Sequence, residues 1–190
     1  IAGSGLTNPV FLMPIIESAL GVELAFDIAR ADESVVAMAV GLEDLTADMG
    51  VRRTREGNET LYARNRIVNA AKAAGIQPID SVFPDVADME GLRNNVAVSK
   101  ALGFEGMGCI HPRQIAVIRQ GFAPGSDEIE KSKKIVIAYE DALSKGLGVV
   151  ALGSKMIDPP VVTRALRTID LAVKLGILEP GWKYDSPAEA

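Results

Sequence analysis

The sequence predicts an α/β fold built on a parallel sheet, and three observations carry that expectation. Residues 10–16 and 35–40 are unbroken apolar runs, too short for a surface helix; strands buried on both faces look like this. Each run ends in carboxylate, Glu17 after the first and Glu43 with Asp44 after the second. Between them, residues 21–31 place Val22, Leu24, Phe26 and Ile28 on a helical stripe. The unit therefore reads strand, acid, helix, strand, acid.

A right-handed crossover puts both strand ends on one side of the sheet. Glu17 and Asp44 stand about 27 residues apart, close to the roughly 31-residue repeat of a (β/α)8 barrel of about 250 residues. Two carboxylates at neighbouring strand ends suit one hard divalent cation. Mg2+ takes one or two protein carboxylates, keeps several waters and leaves room for substrate oxygens. The same two acids would also serve as strand-end caps or ion-pair partners.

The stretch VRRTREGNE follows the second strand, on the side where α/β active-site loops sit. Arg52, Arg53 and Arg55 are candidates there to meet phosphates or carboxylates, or simply to solvate a loop. Residues 60–74 read as a helix stopped by Gly75. A third strand, 76–83, is interrupted by Asp80, a buried acid that needs a partner. It belongs either to the polar end of the sheet or to a structural pair with a basic neighbour. A helix over 87–102 buries Leu92, Val96, Val98 and Leu102, with Gly103 as its stop. The fourth strand, 104–110, is glycine-rich and ends at the single histidine, His111, a structural or catalytic candidate. The four strand ends again recur at about 31 residues.

Further along, helices are expected over 114–120, 127–144 and 161–175, with a hairpin or arm over 146–157 and a frayed tail from Glu179. The natural division is a barrel portion, 1–121, and a helical C-terminal extension, 122–190. At 190 residues and 48% hydrophobic, the chain can bury a sizeable core. A net charge of −5 gives no basic footprint for nucleic acid. The single cysteine, Cys109, excludes an intrachain disulfide framework and points to a reducing compartment, the cytoplasm. No apolar run is long enough for a membrane span, and no cleavable signal is visible. The chain starts with Ile rather than Met, which suggests a processed or trimmed product.

Five stretches, LMPIIESALGV, AVGLEDLTADMGV, YARNRIVNAAKAAGIQPIDSVFPD, GFEGMGCIHPRQI and GLGVVALGSKMIDPPVV, together resemble the citrate lyase β-subunit family, within the wider HpcH/HpaI aldolase group. They occur in that family's order and span nearly the whole chain. The resemblance implies a TIM-type (β/α)8 barrel. Because family members carry roughly four more βα units ahead of Glu17, this chain is expected to supply the second half of that barrel plus the extension. It implies cleavage of a citryl thioester to oxaloacetate and an acetyl thioester, carried on coenzyme A or acyl carrier protein. It maps the Mg2+ ligands onto Glu17 and Asp44, with Glu43 as an adjacent acid acting through water. It also maps a catalytic base onto Asp158 of the IDPP motif, in a lid that closes over a neighbouring subunit. A working unit would then be a homo-oligomer, a trimer by preference, with acyl carrier protein and a transferase subunit as partners. Asp158 before proline is at the same time a helix-capping signature. His111 stands where relatives often have Asn. The alternatives are a malyl-CoA, citramalyl-CoA or malate synthase-like enzyme with the same acids, a phosphoenolpyruvate-type barrel, and a non-catalytic truncated barrel subunit.

Overall fold

Four parallel strands, paired in sequence order, carry the first part of the molecule: β1 (Ile15–Ile16), β2 (Ala37–Val40), β3 (Gln77–Asp80) and β4 (Gly106–Met107). The structure is a computed structural model that describes residues 8–146, 150–152 and 155–183. Its two compact units are Ile1–Phe122 and Ala123–Ala190. The strand register pairs Ile16 with Val40, Ala39 with Ile79 and Asp80 with Met107. Ile16, Val40, Asp80 and Met107 are thus level, and Glu17, Gly41, Ser81 and Gly108 follow them along one carboxyl-end rim. This is the expected α/β class with a parallel sheet.

Helices connect the strands. After β1 come α1 (Ala19–Glu23) and α2 (Ala25–Ala29); after β2 come α3 (Leu42–Asp48), a 3-10 turn (Asn58–Thr60) and α4 (Leu61–Ala74). After β3 comes α5 (Met89–Leu102), and after β4 comes α6 (Pro112–Phe122). Met38, Leu45, Ile67, Ala71 and Phe104 share one buried cluster, while Leu92, Val96, Met107 and Ile118 make a second. Each large side chain so buried stabilises the fold by roughly 1.5–3 kcal/mol. Gly75 and Gly103 end α4 and α5 at φ +75° and +102°, backbone that favours glycine, as their sequence positions predict.

Several expectations are corrected. The run 10–16 is not a strand buried on both faces: only Ile15–Ile16 is regular, with one bridge from Leu12 to Val35, and Phe11, Met13 and Ile15 are exposed. Among the described residues, β1 has no strand on its outer side, and of the run 10–16 only Ile16 is buried. By contrast β2 is buried throughout. The helix expected over 21–31 is two short ones that meet at Leu24, where ψ is 9° rather than helical. Val98 is 48% exposed instead of inside. The seven-residue α3 is new: Glu43 and Asp44 lie in its first turn rather than in a strand-end loop.

The second unit comprises α7 (Ser126–Ser144), the antiparallel pair β5 (Val150–Leu152) and β6 (Lys155–Ile157), and α8 (Pro159–Lys174). Residues 147–149 and 153–154 of the GLGVVALGSKMIDPPVV stretch lie outside the described residues, as do 184–190. Its core gathers Ile129, Val136, Ile157, Val162, Ile169 and Trp182. The tail is therefore not frayed from Glu179: Trp182 buries its indole against α7 and α8, and Lys183 Nζ reaches Glu140 at 2.5 Å. Among the described residues no helix is long and apolar enough to cross a membrane.

Candidate active site

Glu17 and Asp44 are both exposed, and both follow neighbouring parallel strands at the same sheet end. Glu17 folds over Gly41, the residue that precedes α3. A Cβ at Gly41 would collide with Glu17 Oε1 and lie 2.6 Å from Glu17 Cγ. Only a missing side chain lets the Glu17 carboxylate rest there, three residues ahead of Asp44. As an acid in the first turn of a helix, Asp44 also sits where the positive end of the macrodipole favours negative charge.

Several other acids beside this rim are committed. Glu43 Oε1 accepts from Arg53 Nη1 at 2.5 Å, and Arg53 Nη2 donates to the Val82 carbonyl at 3.2 Å. Glu43 is thereby a latch between α3 and the loop after β3. Asp88 caps α5 through the Gly91 amide at 2.7 Å and takes Arg55 at 2.5 Å. Asp48 accepts from the Ala19 amide at 2.7 Å. Asp80 is buried against Arg64, whose Nε donates to Oδ1 at 3.2 Å and whose Nη2 pairs with Oδ2. Arg53 and Arg55 therefore do meet carboxylates, those of Glu43 and Asp88 in the chain itself, and Arg64 is a structural partner. Asp80 joins the two alternatives posed for it, standing at the polar rim and in a structural pair. Among the described residues Glu17 and Asp44 are without a hydrogen-bond or ion-pair partner.

The remaining candidates are placed as follows. His111 Nδ1 accepts from the Arg113 amide at 3.2 Å, so the imidazole caps the start of α6, a task Asn performs as well. Behind it, fully buried Gln114 donates to the Phe83 carbonyl at 2.9 Å and accepts from the Ile110 amide at 3.0 Å, tying two rim loops together. Asp158 belongs to the second unit. It is the N-cap of α8, accepting from the Val161 amide at 3.1 Å ahead of Pro159. Thr54 donates its amide and hydroxyl to Glu59, at 2.8 and 2.7 Å, and these bonds hold the Glu59 carboxyl below the ordinary carboxylate range. Ser81 and Gln114 carried no sequence signal of their own, because each acts through backbone groups distant in the chain.

A cavity of about 410 Å3 opens on this rim, lined by Glu43, Arg53, Arg55, Phe83, Asp85 and Asn95 among others. Among the described residues no three His, Cys, Asp or Glu side chains gather as a closed metal cage. Two unpaired carboxylates on one rim fit a hard cation that keeps open positions for water and substrate oxygens. Fold and rim together define a parallel-sheet α/β protein with two unpaired carboxylates just past the ends of neighbouring strands.

A family model described as HpcH/HpaI aldolase/citrate lyase matches residues 3–112, and the chain belongs to that family. It is 43% identical over 161 residues to the citrate lyase subunit beta of Leuconostoc mesenteroides subsp. cremoris, covering 85% of this chain and 53% of the relative. It is 34% identical to the mitochondrial citramalyl-CoA lyase of Homo sapiens, covering 92% and 54%. The crystal structure of the protein CitE from Mycobacterium tuberculosis, in complex with magnesium, acetoacetate and coenzyme A, superposes with a TM-score of 0.76 at 32% identity. That match covers 86% of this chain and 61% of the other. The chain spans about half the length of the curated relatives it matches.

Proposed function

We propose that the protein is an Mg2+-dependent carbon–carbon lyase that cleaves a citryl thioester, on coenzyme A or acyl carrier protein, to oxaloacetate and an acetyl thioester. The observation that carries the reading is the pair Glu17 and Asp44, two acids without a protein partner among the described residues, just past the carboxyl ends of the neighbouring strands β1 and β2. The ion they would hold supplies positive charge to the oxygens of the keto acid as it forms. Glu17 and Asp44 fix where that charge stands, and Gly41 leaves Glu17 the room to do so. Asp158, the α8 N-cap, takes the proton of the substrate hydroxyl as the carbon–carbon bond breaks. The bond's electron pair passes to the thioester as an enolate, and the proton returns to its methylene carbon to give the acetyl group. Atoms and charge balance without a further reagent.

The finer architecture belongs to the same proposal. The chain supplies the second half of a (β/α)8 barrel, residues 1–121, with 122–190 as the lid-bearing extension. Asp158 acts on a neighbouring subunit in a homo-oligomer, a trimer by preference, with acyl carrier protein and a transferase subunit as partners in the cytoplasm. The higher identity to a citrate lyase subunit than to a citramalyl-CoA lyase favours citryl over citramalyl thioester. The deciding assay follows oxaloacetate release from citryl-CoA with Mg2+, beside citramalyl-CoA and malyl-CoA. Citryl-CoA is expected to turn over fastest. Asp158→Asn, which keeps a capping oxygen, is expected to lose about 10²- to 10⁴-fold in rate while the cation stays bound. Preference for another thioester, or an unchanged Asp158→Asn rate, overturns the corresponding part.

A further inference from the structure

A helix start leaves amide N–H groups without partners, and a side chain at its N-cap ordinarily takes one of them. The α3 helix has no such side chain: its N-cap is Gly41, and the space a Cβ would need holds the Glu17 carboxylate. The acceptor arrives from another strand instead. Ser81, one residue past β3 and 6% exposed, accepts the Leu42 amide on Oγ at 3.2 Å. Leu42 opens the turn that carries Glu43 and Asp44.

Ser81 is itself fixed from behind. Its amide donates to Asp80 Oδ1 at 2.9 Å. Arg64 of α4 holds both oxygens of that carboxylate, and its guanidinium lies 5.7 Å from the Phe104 ring centre. An apolar pair of the same volume would pack α4 on β3 as well, since buried ion pairs contribute little net stability over such a replacement. An apolar pair would not, however, fix the Ser81 amide and so aim its hydroxyl at Leu42. We infer that Arg64, Asp80 and Ser81 form a positioning network that caps α3 from outside and sets Asp44 in register with Glu17 for the divalent cation. The inference rests on the reading of these two acids as the cation's ligands. The requirement that Glu17 lie over Gly41 removes the helix's own cap, and the network replaces it.

The test uses the full protein and two readouts, amide hydrogen exchange over residues 42–45 and Mn2+ affinity by electron paramagnetic resonance. Ser81→Ala is expected to speed exchange there about fivefold, as loss of one cap would, with α5 unchanged. It is expected to weaken Mn2+ binding about tenfold, the usual effect of removing a group that orients a ligand. Ser81→Thr keeps the hydroxyl and is expected to restore both. Should Ser81→Ala not fold, Ser81→Cys, a weaker acceptor of similar shape, is measured in its place. Unchanged exchange overturns the cap. Faster exchange with unchanged Mn2+ affinity, while Glu17→Gln abolishes binding, reduces Ser81 to a helix cap and overturns its positioning role. If wild-type protein binds no Mn2+, or Glu17→Gln binds as wild type does, the ligand reading fails, and exchange alone decides the cap.

Discussion

At the scale of single residues, the site turns on an absence of side chain. Gly41 has φ −106° and ψ 99°, backbone that alanine adopts without strain, so its requirement is for space. Gly41→Ala would press a methyl into the Glu17 carboxylate, which is the far end of a flexible chain and can swing away. The expected outcome is a stability loss of no more than about 1 kcal/mol, the N-cap difference between glycine and alanine. Cation affinity is expected to fall about tenfold, as for other groups that orient a ligand. Denaturant unfolding beside calorimetric titration checks both, and an unchanged affinity would show that Glu17 need not lie over Gly41. The spacing of Glu17 and Asp44 was legible in the sequence because it follows from the βα repeat. The choice of glycine between them was not, since it depends on a side chain 24 positions away reaching over from the neighbouring strand.

At the scale of elements, the order of the strands and the longer helices were legible, whereas the extent of β1 and β4 and the short helices were not. Helices α4, α5 and α7 have the length and glycine stops that pattern reading needs, whereas α3 is seven residues with two acids in its first turn and looks like the end of a strand. The Arg64–Asp80 pair shows why Asp80 could be flagged but not resolved: its partner lies on α4, 16 residues earlier. Removing one partner, as in Arg64→Met or Asp80→Leu, leaves a buried charge and is expected to cost about 3–5 kcal/mol. The double substitution is expected to recover most of that loss in urea unfolding, because the charge is then gone from both sides; a double variant no better than the singles would contradict it. The Arg53–Glu59 loop gives a pH-dependent counterpart. Glu59 has a lowered folded-state pKa, so its contribution is complete above the unfolded carboxylate value and is lost as pH falls through the folded one. Amide exchange over residues 53–57 is expected to quicken in that acid window, and Glu59→Gln to remove the dependence; a wild-type loop indifferent to acid would contradict the clamp.

At the scale of the whole molecule, sequential parallel pairing lines the strand ends along one rim of the first unit, and Glu17, Glu43, Asp44, Arg53 and Asp80 stand on or beside it. Along this edge strand, the exposed Val10, Phe11, Leu12, Met13 and Ile15 are unlike any surface a finished parallel sheet presents. They support the proposal that further βα units cover that edge in the working enzyme. The sequence could foretell this only through its family resemblance, since an apolar run reads alike whether its neighbour is present or not. All of the proposed chemistry nevertheless depends on one ion shared by two side chains. Calorimetric titration of the protein with Mg2+, beside Glu17→Gln and Asp44→Asn, tests that most directly. The account predicts one ion per chain in the wild type and no measurable binding in either variant; undiminished affinity in both would contradict it.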